Sequence, residues 1–214
     1  MQTSRQQIHP PPARVFHDSL DWRFLLPTTE AGKIRVVVEQ GADFGQTLEQ
    51  IGIPVSNCSS FSDIKQNEKE NTQALVLPFG LPVRWVSAQR GDQIEFYRSL
   101  RHLVCPGGYL LIGFENSWNS HSKTQSGYHP STSRRVANQL NRAGFRSIRI
   151  WGAMPNLRIP EYIFALNDRA IYFALQHRFR RKPALLNILR TLSYAIGWSG
   201  ISAFLPGYFA VAVV

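Results

Sequence analysis

Two short stretches hold residue types able to do chemistry. In the first, Glu39, Gly41, Asp43 and Gly45 follow directly on the apolar run IRVVV (Ile34 to Val38) and precede TLEQIG. Glycines spaced this way after an apolar strand let the backbone turn sharply and approach a ligand closely, where side chains would intrude. Strand, glycine loop and helix start together form the layout of a nucleotide-type βα turn. In the second stretch, Glu115 and Asn116 end the apolar run YLLIGF (Tyr109 to Phe114), and Trp118, His121, Tyr128 and His129 follow in the next loop. His121, His129 and Glu115 are candidate bases, because imidazole and carboxylate groups take protons from hydroxyls and amines. Asn116, Trp118 and Tyr128 are candidates for lining a substrate site, the two rings by stacking. The 6 histidines and 2 cysteines show no metal-ligand spacing, so no metal is expected. Neither a serine-centred G-x-S-x-G elbow nor a Walker loop occurs.

These residues need elements to position them. Apolar runs predict strands at Ile34 to Val38, Ala74 to Leu77, Tyr109 to Phe114, Phe145 to Trp151 and Tyr208 to Val214, with a short strand at Ile53 to Asn57. Apolar residues at helical spacing predict helices over Asp92 to Val104, Ser131 to Ala143, Asp168 to Phe179 and Pro183 to Tyr194. Thr132 or Ser133 can cap the second helix, and Gly144 stands where a helix-ending glycine belongs. Strands alternating with helices predict an α/β sandwich with a mostly parallel sheet. Such sheets bind ligands at the carboxyl ends of their strands, which puts both chemistry-bearing stretches on one edge.

At 43% apolar and 18% charged residues, the chain can bury a sizeable core, which excludes a disordered protein. Residues 1–30, with Pro10, Pro11 and Pro12, read as an N-terminal extension. Residues 31–214 read as one domain with a helical, basic insertion at about 167–206. Two widely separated cysteines and no apolar run of signal-peptide length near the N-terminus point to a cytoplasmic protein.

The segments RSLRHLVCPGGYLLIGFEN (Arg98 to Asn116) and SRRVANQLNRAGFRSIRIW (Ser133 to Trp151) carry a recognisable pattern. With the glycine loop and the terminal strand in the expected order, the chain resembles the class I S-adenosylmethionine-dependent methyltransferases. ENSW (Glu115 to Trp118) and MPNLRIPEYIF (Met154 to Phe164) are similar to members found with bacterial surface-glycan and secondary-metabolite pathways. The resemblance implies a three-layer sandwich around a Rossmann-like methyltransferase sheet whose last strand is antiparallel and inserted beside the strand before it. It implies S-adenosylmethionine as cofactor and a hydroxyl or amine of a small glycan-type or secondary-metabolite acceptor. Glu39 would meet the methionyl amino group, and Gly41 and Gly45 would leave room for the ligand. Asp43 stands where the family has a glycine. Asp63 is the first carboxylate after the short second strand and the candidate for the ribose, and Pro78 completes the cofactor set. Only 35 residues separate Val38 from Ala74, so the sheet is expected to be shortened at that edge, where pairing into a homodimer would cover the open strand.

Charge adds a second reading. Residues 1–120 carry 11 Lys/Arg against 12 Asp/Glu, and residues 121–214 carry 13 against 2, so the whole excess of +10 lies in the C-terminal part. The densest cluster, His177 to Lys182, fits a partner protein or an anionic membrane surface, with the protein peripheral at the membrane. Nucleic acid is disfavoured, since no recognised binding motif accompanies the cluster. The alternative to an enzyme is a methyltransferase-like scaffold that binds such a partner through this face. Leu192 to Val214 holds no charge, yet Gly197, Gly200, Pro206 and Gly207 interrupt it and YFAVAVV reads as a buried strand, not a membrane span.

Overall fold

Seven strands assemble into one sheet in the order β2-β1-β3-β4-β7-β5-β6, the central ones apolar on both faces. The computed structural model describes residues 25–26, 34–39, 55–58, 72–83, 85, 93–118, 128–157 and 160–214, with backbone alone for 38–39 and 55–58. The strands are β1 (Ile34–Glu39), β2 (Val55–Cys58), β3 (Ala74–Leu77), β4 (Tyr109–Glu115), β5 (Arg146–Met154), β6 (Tyr162–Ala165) and β7 (Gly207–Val213). β1 pairs in parallel with β2 and β3, and β3 with β4. β7 runs antiparallel between β4 and β5, and β6 runs antiparallel on the outer side of β5. The fold is therefore an open, mostly parallel, Rossmann-like α/β sheet with an antiparallel last strand, as the sequence predicts. Among the described residues β2 is the outermost strand on that side of β1, at the edge expected to be shortened.

The helices are α1 (Gln93–His102), α2 (Ser133–Arg142), α3 (Asp168–Arg178) and α4 (Pro183–Ser202). Period-two alternation along the strands divides the core. Leu110, Ile112 and Phe114 of β4 join Val37, Leu75, Leu77, Tyr208 and Ala210 on the face covered by Phe96, Leu100, Val136, Leu140, Ile171 and Ile201 from all four helices. Leu111 joins Ile34, Val36, Val76, Phe209 and Val211 on the opposite face, with Leu26 and Leu157 above them. The third layer expected from the sequence concerns residues outside those described. Each large side chain buried in this way stabilises the fold by roughly 1.5–3 kcal/mol.

Local chemistry sets the element ends. The Thr132 hydroxyl accepts from the Arg135 amide at 3.2 Å and caps α2, and Gly144 turns the chain away with φ of +92°. Two features differ from expectation. β6 arises where the sequence predicts no element, because four residues on an edge, three half-buried and one buried, leave too short a pattern to recognise. α4 runs on to Ser202 instead of ending at Tyr194, with a break at Gly197 (φ +70°, ψ 165°) that an uncharged sequence does not announce. No helix of the described residues is long and apolar enough to cross a membrane.

Two phenols stand out in this core. Burial pushes Tyr97 and Tyr208 well above the ordinary phenol range, with the Arg135 guanidinium pulling Tyr97 partly back. The folded state thus keeps protons that the unfolded chain loses above about pH 10. Their stabilising contribution is complete below that pH and is lost as pH rises further. Denaturant titrations between pH 8 and about 11 should therefore show falling stability above about pH 10, with a shallower fall in Tyr97→Phe. Equal slopes in the two proteins would contradict this assignment.

Candidate functional site

In the order β2-β1-β3, neighbours leave β1 in opposite directions, so the carboxyl ends of β1 and β3 flank the topological switch point where such sheets bind ligands. Glu39 is the last residue of β1 and lies in register with Cys58, the last residue of β2. Gly41, Asp43, Gly45, Asp63 and His121 lie outside the described residues. Pro78, immediately after β3, is buried, and its backbone crosses the end of β4. A Cβ on Gly113 would come 2.0 Å from the Pro78 carbonyl oxygen, and one on Gly80 would come 2.6 Å from the Gly113 oxygen. Only glycine admits that crossing, and Gly80 also adopts φ of +94°.

The crossing brings the loops after β3 and β4 together. The His129 amide donates to the Leu81 carbonyl at 2.8 Å, and the Ser131 amide to the Glu115 carbonyl at 2.9 Å. Isolated bridges pair Pro82 with Tyr128 and Asn116 with Ser131. The Phe79 and Tyr128 rings meet at 5.9 Å. Pro78, Glu115, Tyr128 and His129 are thereby gathered on the carboxyl edge of β3 and β4. Within His129, Nδ1 lies 3.1 Å from the Pro130 carbonyl oxygen, an acceptor only. The neutral ring therefore carries its proton on Nδ1 and leaves Nε2 as the basic nitrogen.

Glu115 is half-buried, and its buried Oε2 has no hydrogen-bond partner among the described residues; nor does the Ser131 hydroxyl, whose backbone bonds the same strand end. Leaving such groups open costs roughly 1–3 kcal/mol each. Native proteins rarely keep them except where a ligand or a reaction uses them. Ser131 was not evident from the sequence as a site residue, since one serine in the run Ser131, Thr132, Ser133 gives no signal.

Asn116 and Trp118 are placed differently from these. Asn116 is 1% exposed and turns to the helical face with Phe114. Its amide donates to the carbonyls of Ala203 and Leu205, the latter at 2.7 Å, and lies 3.3 Å from the Tyr208 hydroxyl. Its own oxygen accepts from the Trp118 amide at 3.2 Å. Expected to line a substrate site, Asn116 instead ties the end of β4 to the approach of β7. Trp118 is 68% exposed and meets Phe204 edge-on at 6.1 Å, on the same helical side. Among the described residues no group of His, Cys, Asp or Glu is arranged to hold a metal ion.

No family model matches this chain, and no curated protein matches it in sequence. Among solved structures, a SAM-dependent methyltransferase from Archaeoglobus fulgidus aligns over 85% of this chain and 85% of its own, at 11% identity and a TM-score of 0.48. A SAM-dependent methyltransferase from Thermotoga maritima aligns over 84% and 81%, at 8% identity and a TM-score of 0.45. Phosphoethanolamine N-methyltransferase 2 from Haemonchus contortus, in complex with phosphomonomethylethanolamine and S-adenosylhomocysteine, aligns over 84% of this chain but 48% of its own, at 11% identity and a TM-score of 0.40. This chain spans about half the length of that enzyme. Likeness at this level is one of general fold and gives no residue a role.

The two buried polar groups make different predictions. Glu115→Gln changes a side-chain end with no hydrogen-bond partner among the described residues, so the unliganded protein should hold its Tm within about 2–4 °C of the natural chain. A lower Tm would mean that Glu115 already serves the fold. Asn116→Ala strands the buried Leu205 carbonyl and the part-buried Ala203 carbonyl and should cost roughly 1–3 kcal/mol in urea denaturation. Asn116→Asp should cost more, because a carboxylate would face those carbonyls.

Proposed function

We propose that the chain is an S-adenosylmethionine-dependent methyltransferase acting on a hydroxyl or amine of a small glycan-type or secondary-metabolite acceptor. The observation that carries this reading is β7, antiparallel and inserted between β4 and β5, which is the arrangement the sequence resemblance requires. A glycine loop that leaves β1 beside the switch point supports it, as does an open carboxylate oxygen on the same edge.

Glu39, Gly41, Asp43, Gly45, Asp63 and Pro78 would hold the cofactor, Glu39 at the methionyl amino group and Asp63 at the ribose. When bound, the cofactor supplies a methyl group already activated on a sulfonium. The protein then has little covalent chemistry to perform and acts by positioning, by excluding water and by accepting a proton. His129 Nε2 takes the proton of the acceptor hydroxyl or amine, with His121 as the other candidate. The Glu115 carboxylate receives a hydrogen bond from the acceptor, which satisfies its open oxygen. Tyr128, held against Phe79, supplies a ring face at the rim. Asn116 contributes by fixing the end of β4 and does not touch the acceptor.

Isothermal titration with S-adenosylhomocysteine tests the reading directly. Micromolar binding is expected, and ligand at about 100 times Kd should stabilise the fold by ~2.7 kcal/mol, seen as a Tm rise of roughly 5–11 °C. Silence at millimolar ligand would overturn the enzymatic reading. The scaffold alternative would then account for Asp43 at the glycine position. If Asp43→Gly creates binding absent from the natural chain, the aspartate is the obstruction.

A further inference from the structure

The helical pair α3 and α4 presents a surface that the site does not use. α4 packs Leu189, Trp198 and Ile201 against the core. Leu185, Ile188, Leu192 and Ile196, spaced three and four apart, form a neighbouring stripe that faces outward. Ile188 is 57% exposed and Leu192 and Ile196 are 47% exposed each. Tyr194 on the same helix and Phe173 on α3 are more exposed still. A solvent-facing helix of a globular protein normally shows charged residues there instead, and a contiguous apolar stripe of this kind marks a contact surface.

Charge identifies the contact. From Arg169 to the last residue, Val214, the sequence holds Arg169, Arg178, Arg180, Arg181, Lys182 and Arg190 and not one Asp or Glu. Arg178 reaches Glu161 at 3.4 Å across an exposed pair. Arg180, Arg181, Lys182 and Arg190 are exposed and have no ion pair among the described residues. Three of them immediately precede Pro183, at the start of α4. A second copy of this chain seated on the stripe through a two-fold contact would bring the same carboxylate-free surface to these cations and pair none of them, since such contacts use one patch on both copies. A surface of apolar interior and anionic head groups satisfies both halves at once: the stripe enters the acyl boundary and the cations meet phosphate. Among the described residues no helix is long and apolar enough to span such a surface, and the apolar stripe with the basic stretch before it suits α4 to lie on it.

We propose that α4, with the basic stretch before it, is an interfacial helix that docks the protein on an anionic lipid bilayer. This is independent of methyl transfer and holds whether or not the cofactor binds. Cosedimentation of the full chain with phosphatidylcholine vesicles, with and without phosphatidylglycerol, tests it. Binding is expected to the anionic vesicles and to fall steeply with salt. Replacing Arg180, Arg181 and Lys182 by Gln should weaken it on the order of a hundredfold, since each cation near the surface contributes about fivefold. Ile188→Glu with Leu192→Glu should weaken it roughly tenfold or more, with Tm unchanged because both side chains face outward. Absence of binding to phosphatidylglycerol vesicles overturns the proposal. So does binding that survives the Ile188/Leu192 pair and is lost only with the cations, which would mean that phosphate alone is recognised. A dimer in sedimentation equilibrium that the same pair dissociates, with vesicle binding intact, would assign the stripe to a second copy.

Discussion

The insertion of β7 between β4 and β5 is the constraint on which the rest of the molecule depends. β4 and β5 point the same way and share no direct pairing; among the described strands the route between the two halves of the sheet passes through β7. All seven residues of β4 have a partner on β7, from Tyr109 opposite Val213 to Glu115 opposite Gly207. β7 is central, so both of its faces must be apolar. YFAVAVV provides this, with Tyr208, Ala210 and Ala212 toward the helices and Phe209 and Val211 away from them. Alanines alternating on the helical side let α2 and α3 approach, while the phenol of Tyr208 fills the volume beside Phe114 at 5.3 Å between ring centres.

A buried phenol so close to the end of β4 needs a hydrogen-bond acceptor, and it donates to the Ser202 carbonyl at 2.5 Å. Asn116 completes the same knot through Ala203 and Leu205. These carbonyls belong to the end of α4 and the turn beyond it, where a helix leaves its last acceptors open. One asparagine thus satisfies helix-end groups and fixes the strand that presents Glu115. The neighbouring positions divide the work: residue 116 turns to the helical face and closes the structure, and residue 115 turns to the other face and leaves an oxygen open. A strand's two-residue period makes that division unavoidable.

Much of this fold was legible in the sequence because the strands are buried on both faces. IRVVV, ALVL, YLLIGF and YFAVAVV are continuous apolar runs that no surface element would carry, and the predicted ends fall within a residue or so of the observed ones. Thr132 and Gly144 were legible because capping depends on local backbone chemistry. What escaped was set by tertiary partners. YIFA becomes a strand only because β5 lies beside it, and α4 extends past Tyr194 only because Trp198 and Ile201 find the core. For the candidate site, Glu115, Tyr128 and His129 were identifiable by residue type and position after a strand. The roles of Asn116 and Ser131 were not, since an amide or hydroxyl is equally suited to a ligand or to a carbonyl of the fold, and only its neighbours decide.

The same knot links the outer helix to the candidate site. The break at Gly197 divides α4 into an outer part that carries the exposed stripe and a short inner part that ends at Ser202. The inner part is held by Tyr208 and Asn116, so it moves only if the end of β4 moves with it. A glycine at the junction is the residue best able to absorb a change in direction, since its positive φ costs it nothing. Phe204, just past the helix, lies against Trp118, just past β4, and both are largely exposed. An object held by the outer part of α4 is therefore linked to Glu115 through the turn at Gly197, the end of α4 and the hydrogen bonds of Asn116. That arrangement would let a surface orient the carboxyl edge of the sheet without contributing a residue to it.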